Sequence, residues 1–145
     1  MNHVFYDGVS SLSLNLEKAY TEGAHVDKWQ RTIALDREYN WVEVTEQYKL
    51  DSLQIEKDRL NGQVFDNQII LMSYGKPVVQ KAGRILLQGG LVRLEYDAQY
   101  LSASVEKVQM TDGIMKTQWK DNVYRIILRL NDNYPMAKVK YRFVK

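Results

Sequence analysis

Two charged residues sit where an apolar pattern should continue, and their spacing makes them partners. Between residues 29 and 50 the chain reads Trp29-Gln-Arg-Thr-Ile-Ala-Leu-Asp-Arg-Glu-Tyr-Asn-Trp-Val-Glu-Val-Thr-Glu-Gln-Tyr-Lys-Leu50. Trp29, Ile33 and Leu35 alternate before a polar loop at residues 36–40, and Val42, Val44, Tyr48 and Leu50 alternate after it. Period two on both sides of a short loop marks a β-hairpin with one buried face. Setting Leu35 opposite Val42 places Ile33 by Val44, Arg31 by Glu46 and Trp29 by Tyr48. Arg31 and Glu46 then form a cross-strand ion pair that fixes the register. The other reading is an arginine and an acid in a sugar-binding cleft; the apolar residues that flank the pair on the same face favour the structural role.

The remaining reactive side chains do not assemble into a catalytic pattern. His3 and His25 are the only histidines, too few and too far apart for a metal site, so no metal is expected. They read as a terminal and a surface-loop histidine. Glu43 and Glu46 lie on opposite faces of one strand and cannot act as a juxtaposed acid and base. Gly89-Gly90 lacks the Lys-Ser/Thr and the following helix of a phosphate loop, and no serine stands in a nucleophile elbow. There is no cysteine, hence no thiolate and no disulfide. No cofactor is expected.

Binding chemistry has more support. The chain has ten tyrosines and three tryptophans, rings that combine an apolar body with a polar tip. Trp29, Tyr48, Tyr124 and Tyr141 fall on expected core faces. Trp41 and Trp119 fall in or beside loops and are the candidates for stacking on a sugar ring. Residues 116–145 carry eight Lys or Arg against two Asp, a local +6 within a chain of net charge +2. On the last two expected strands the outward positions are Arg125, Ile127 and Arg129, then Lys138, Lys140 and Arg142. Paired as a hairpin, they would share one basic face able to attract a polyanion such as an acidic, heparin-like polysaccharide. A solvated face whose lysines guard a sheet edge is the blander and favoured reading. No helix suits a groove, so nucleic acid is not an expected partner.

The elements that must position these residues are short and β-like. Leu12, Leu14 and Leu16 alternate with polar residues as a half-buried strand. Residues 19–28 read as a loop. Residues 51–58 extend as a strand through Leu53 and Ile55, and the charge-dense stretch 51–63 is a candidate linker ending in the turn Asn61-Gly62. The apolar run 69–72 fits a strand covered on both faces, and Pro77 demotes the residues after it to an edge. Gly89-Gly90 reads as a two-residue hairpin turn. Residues 103–108 form a weaker strand, and 114–121 are the one candidate for a helical turn. Tyr124, Ile126, Leu128 and Leu130, then Ala137, Val139, Tyr141 and Phe143, are the inward faces of the last two strands. The expected fold is all-β: one domain spanning 1–145, an antiparallel β-sandwich of two packed sheets, jelly-roll-like or supersandwich-like.

The 145 residues suit a single domain, and a chain of this size buries roughly 68–70% of its unfolded surface without staples. Lack of cysteine leaves the compartment open. The first residues have neither a basic n-region nor a long apolar stretch, and no apolar run approaches the ~20 residues of a membrane helix, so a membrane is not an expected partner. Val4-Phe-Tyr6 reads like the middle of a β protein, which is the expectation for a fragment of a longer chain.

The run Val9-Ser-Ser-Leu-Ser-Leu-Asn-Leu-Glu-Lys-Ala-Tyr20, then Trp29-Gln-Arg-Thr-Ile-Ala-Leu-Asp-Arg37, and finally Val123-Tyr-Arg-Ile-Ile-Leu-Arg-Leu130, resembles the later β-sandwich part of the heparinase II/III-like polysaccharide lyases. That family carries an Ala-Tyr-Pro segment, a short loop, a Trp-x-Arg-x-Val-x-Leu-x-Arg strand and a final Tyr-Arg-Ile strand in this order. Thr21 stands where the family often has proline, and His25 lies in a loop that usually lacks histidine. The resemblance covers most of residues 9–144. It implies a non-catalytic C-terminal domain that supports a catalytic helical toroid and borders the substrate cleft. The family's base and its carboxylate-neutralising groups would precede this chain, so no residue here takes a catalytic role and no lyase activity is expected of it alone. Its partners would be the catalytic helical domain of a parent lyase, acidic polysaccharide, or a second copy through an exposed sheet face. Its location would be periplasmic or secreted if the parent is a bacterial lyase. A free-standing polysaccharide-binding module and a protein-interaction module are the two alternatives.

Overall fold

The computed structural model describes residues 2–6, 8–62, 66–131 and 134–145. Its elements are β1 (Asn2–Tyr6), β2 (Val9–Asn15), β3 (Val26–Asp36), β4 (Trp41–Leu50), α1 (Ser52–Leu60), β5 (Gln68–Ser73), β6 (Val78–Lys81), β7 (Arg84–Leu87), β8 (Val92–Tyr96), β9 (Leu101–Gln109), α2 (Gly113–Trp119), β10 (Asn122–Leu130) and β11 (Met136–Val144). The fold is all-β and of the β-sandwich class, with antiparallel sheets that do not close into a barrel. The chain divides into two compact units, Met1–Asp66 with Asp132–Arg142, and Asn67–Asn131 with Phe143–Lys145.

The first unit is a meander, β1-β2-β3-β4, with β11 added beside β4. The β3–β4 hairpin is its spine. β-Branched and aromatic residues fill four of the eleven positions of β3 and five of the ten of β4, and these suit a pleated, half-buried surface. Leu35 pairs with Val42, Ile33 with Val44, Arg31 with Glu46 and Trp29 with Tyr48, which is the register that alternation specifies. Asp36, itself buried, closes the loop: its Oδ1 accepts hydrogen bonds from the Glu38 and Tyr39 amides at 2.9 and 2.8 Å. Asn40 takes the left-handed conformation that the turn needs, φ +53°.

Glu46 is 0% exposed. Arg31 Nε donates to its Oε1 at 2.6 Å, Trp29 Nε1 donates to its Oε2 at 2.7 Å, and the Tyr141 hydroxyl approaches Oε1 at 3.4 Å. One buried acid therefore ties together β3, β4 and β11. The Trp29 ring is stacked between Tyr20 and Tyr48, with centroids 5.1 Å apart on each side. Burial, and then the Glu46 charge, raise the Tyr141 hydroxyl well above its ordinary pKa, so it stays a donor. Burial would lower the Arg31 pKa, but Glu46 outweighs it and the guanidinium stays charged.

In the second unit one three-stranded sheet has the order β5-β10-β9 and the strands β6-β7-β8 pair in sequence. Its buried residues include Ile85, Leu87, Leu94, Tyr96, Ile126, Leu128 and Leu130, at alternating positions of β7, β8 and β10, and Leu101 at the start of β9.

Several expectations are corrected. Residues 52–60 are a helix, not a strand or a linker. Asp51 caps α1, its Oδ1 accepting from the Leu53 and Gln54 amides at 3.1 Å each, while Leu53 and Leu60 stay exposed. Strong capping, with Lys57 and Arg59 in the last turn, outweighs a weak apolar pattern. β5 is an edge strand covered on one face only, because Ile70 and Met72 are exposed. The Gly89-Gly90 turn spans four residues, since Leu87 pairs with Val92, and it contains a 3-10 turn with both glycines at positive φ. Residues 19–28 are not all loop: two 3-10 turns occupy Glu17–Ala19 and Glu22–Ala24, and β3 already begins at Val26.

Glu46→Gln keeps the shape of the side chain and removes its charge. It is expected to cost about 3 kcal/mol, the low end for a buried pair because Arg31 remains partly hydrated. A lower urea midpoint at unchanged slope measures this; an unchanged midpoint would show that the acid does not hold the hairpin. Asp51→Ala is expected to cost about 1 kcal/mol by loss of the helix cap.

Candidate functional site

The hairpin register that turns Arg31 and Glu46 inward turns a polar set outward. Gln30 pairs with Gln47, Thr32 with Thr45, and Ala34 with Glu43. β2 extends the set: Ser13 Oγ lies 2.9 Å from Thr32 Oγ1, and Gln30 Nε2 donates to Asn15 Oδ1 at 3.3 Å. β11 contributes Lys138, Lys140 and Arg142 to the same face. Gln30, Thr32, Thr45, Gln47, Lys138 and Lys140 line a shallow open trough of about 170 Å³.

At one end of this face the cations are already engaged. Lys140 Nζ donates to Glu43 Oε1 at 2.9 Å and Arg142 Nη2 donates to Glu43 Oε2 at 2.7 Å. The Arg142 guanidinium also lies over the Trp41 ring, 4.5 Å from its centroid, a cation–π contact. Burial alone would raise the Glu43 pKa; the hydrogen bonds and charges of Lys140 and Arg142 outweigh it and hold the carboxyl below its ordinary value. Among the described residues Lys138 has no carboxylate within ion-pair distance. The trough therefore presents amides, hydroxyls and one unpaired ammonium group, a set suited to hydroxyls and anionic groups together. Among the described residues no cluster of histidine and acidic side chains could hold a metal ion.

The basic residues do not form one stripe. β10 pairs with β5 and β9, and β11 lies in another sheet. The expected β10–β11 hairpin is absent because each edge of β10 already has a partner. Arg125 and Arg129 thus belong to the second unit, and Lys138, Lys140 and Arg142 to the first. Arg125 is ion-paired with Glu106 on β9, Ile127 beside it is buried, and Arg129 is exposed. Trp41 begins β4 and has one ring face covered by Arg142. Trp119 ends α2 and, with Met72, Met110, Met115 and Val123, lines an almost wholly apolar pocket of about 180 Å³, a setting unlike a sugar platform. The two tryptophans are in different units.

Glu46 lies in the interior, and Arg31, half-buried, pairs with it from the neighbouring strand on the same face. His25 is not a plain surface-loop residue: its Nε2 lies 2.7 Å from Asp58 Oδ2, both side chains are largely covered, and Asp58 Oδ1 accepts from Gln54 Nε2 at 2.9 Å. The pair links the segment before β3 to α1. The side chain of His3 lies outside the described residues. Sequence reasoning missed Glu43 and the trough residues Gln30, Thr32, Thr45 and Gln47. Their signal was the polar half of the same alternation, since the register that located the core also located them.

No protein-family model matches the chain, and no curated protein matches it.

The Glu43 ion pairs give a pH signature. A carboxyl whose pKa is lower folded than unfolded contributes stability that is fully present above its unfolded value, about 4.3, and is lost as pH falls through the folded value. The melting temperature of the parent should fall in that acid window, and Glu43→Gln should reduce the fall. Equal slopes in thermal melts across the window would show that Glu43 gains nothing from its partners.

Proposed function

We propose that this chain is a non-catalytic β-sandwich module of the kind that ends a heparinase II/III-like polysaccharide lyase, and that the outward face of β3, β4 and β11 holds acidic polysaccharide. The observation that carries the binding reading is the trough. Two glutamines and two threonines of β3 and β4 line it together with Lys138 and Lys140 of β11 on one sheet face. Amides and hydroxyls match sugar hydroxyls, and the ammonium groups match carboxylate or sulfate. The family reading rests on the order and spacing of the Ala19-Tyr20, Trp29-x-Arg31 and Tyr124-Arg125-Ile126 segments. In that setting the parent would be periplasmic or secreted and the chemistry would belong to its helical domain.

A second reading, mechanical support for that catalytic domain or pairing with a second copy, has its own observation. Ile70 and Met72 on the edge strand β5, with Ile114 and Trp119 of α2, are large apolar side chains left exposed in the second unit. Such residues gathered on one unit mark contact surfaces when they form a patch.

Retention on a heparin column tests the binding reading. The parent should be retained and released by moderate salt, because exposed charges are screened within a Debye length of about 8 Å. Lys138→Glu/Lys140→Glu/Arg142→Glu should bind at least about tenfold more weakly, whereas Arg125→Glu/Arg129→Glu should bind much as the parent does. Retention untouched by the triple change would remove the face as the site. Incubation with heparin or heparan sulfate should yield no ultraviolet absorbance from an unsaturated uronate; its appearance would overturn the non-catalytic assignment.

A further inference from the structure

Glu43 occupies the middle of the cationic end of the face. Lys140 and Arg142 each take one of its carboxylate oxygens, at 2.9 and 2.7 Å, and the Trp41 ring backs the guanidinium. The acid is sunk, with its side chain 16% exposed, while Lys140 and Arg142 are 55% and 41% exposed. This is a carboxylate receptor assembled from an ammonium, a guanidinium and an aromatic platform, and the protein's own side chain fills it. The receptor adjoins the trough, because Lys140 lines both.

We infer that Glu43 is an internal competitor that makes this face select multivalent anionic chains over single anions. The inference rests on the polysaccharide reading and adds the residue that sets its specificity. Glu43 is tethered between its two partners, so its effective concentration at them is far above that of a dissolved ligand. A lone carboxylate or sulfate gains only what Glu43 already supplies, and it meets the repulsion of the displaced acid. A chain that also reaches Lys138 and the amides and hydroxyls of the trough binds through several groups at once. It can therefore take Lys140 and Arg142 from Glu43, where a monomer cannot. Lys138, with no acid beside it among the described residues, is the place where such a chain first engages.

Glu43→Gln tests this. The amide keeps the size of the side chain and removes the competing charge. Calorimetry compares parent and variant against two probes, a heparin hexasaccharide and free glucuronate, with circular dichroism as the fold check. The variant should bind the hexasaccharide about tenfold more tightly and bring glucuronate into measurable range, so that the preference for the chain narrows. Glu43→Thr, a residue at home in a strand, should do the same if the glutamine variant folds poorly. Hexasaccharide binding by the parent that is unchanged or weakened in both variants overturns the inference and leaves the polysaccharide reading standing. No binding of either probe by any of the three proteins overturns both.

Discussion

A buried carboxylate is the constraint on which the first unit depends. Glu46 is removed from water and takes hydrogen bonds from an indole, a guanidinium and, at longer range, a phenol. Moving such a group into the interior is unfavourable unless its lone pairs are met. The three donors come from β3 and β11 while the acid comes from β4, so these strands must be in register for the acid to be tolerated at all. A slip of one residue would turn Glu46 outward and bury Thr45 or Gln47 in its place. The stack of Tyr20, Trp29 and Tyr48 reinforces the same choice, because the indole that donates to Glu46 is held between two rings.

The same register separates the buried acid from the solvated acid of β4. Glu43 and Glu46 are three residues apart on β4 and therefore point to opposite faces. Inward, the acid is fixed and inaccessible. Outward, Glu43 meets two cations whose side chains remain partly hydrated. An antiparallel sheet with one solvated face commonly carries structural residues on one side and leaves the other to polar residues. Here that solvated side carries amides and hydroxyls in cross-strand pairs, with the cations of β11 at its margin.

Legibility in the sequence tracks how local the deciding interaction is. The β3–β4 hairpin was readable to the residue because its strands are joined by a short loop and their alternation has one register that puts Trp29, Ile33, Leu35, Val42, Val44, Tyr48 and Leu50 on one face. The partner of β10 was not readable, since strand order depends on contacts distant in sequence. Placing β10 beside β11 merged five basic residues into a stripe that the sheet order divides. Helix α1 was missed for a different reason: its apolar residues are few, while the signal that forms it lies in the cap Asp51 and in the terminal Asn61-Gly62. The run 69–72 shows the reverse error. Four consecutive apolar residues suggest burial on both faces, yet an edge position leaves Ile70 and Met72 uncovered. For the candidate site, Lys138, Lys140, Arg142 and Trp41 were visible by type; the partners of Glu43 were not, because β11 lies far from it in sequence, and the neutral trough residues were not, because uncharged polar side chains carry no distinctive spacing beyond the alternation itself.

The charge distribution illustrates why composition alone misjudges such a face. Eight basic residues against two aspartates in the last thirty positions suggest a strong positive field. In the folded chain at least three of those cations are met by acids from elsewhere in the sequence, Arg125 by Glu106 and both Lys140 and Arg142 by Glu43. The field is correspondingly reduced, and long-range attraction of a polyanion is weaker than the segment's charge implies. In the binding mode proposed above, recognition would depend more on whether a ligand can rearrange short-range pairs than on net charge. A rigid monoanion has little with which to do so, whereas a flexible chain bearing hydroxyls and regularly spaced anionic groups can exchange several of the face's internal contacts for its own.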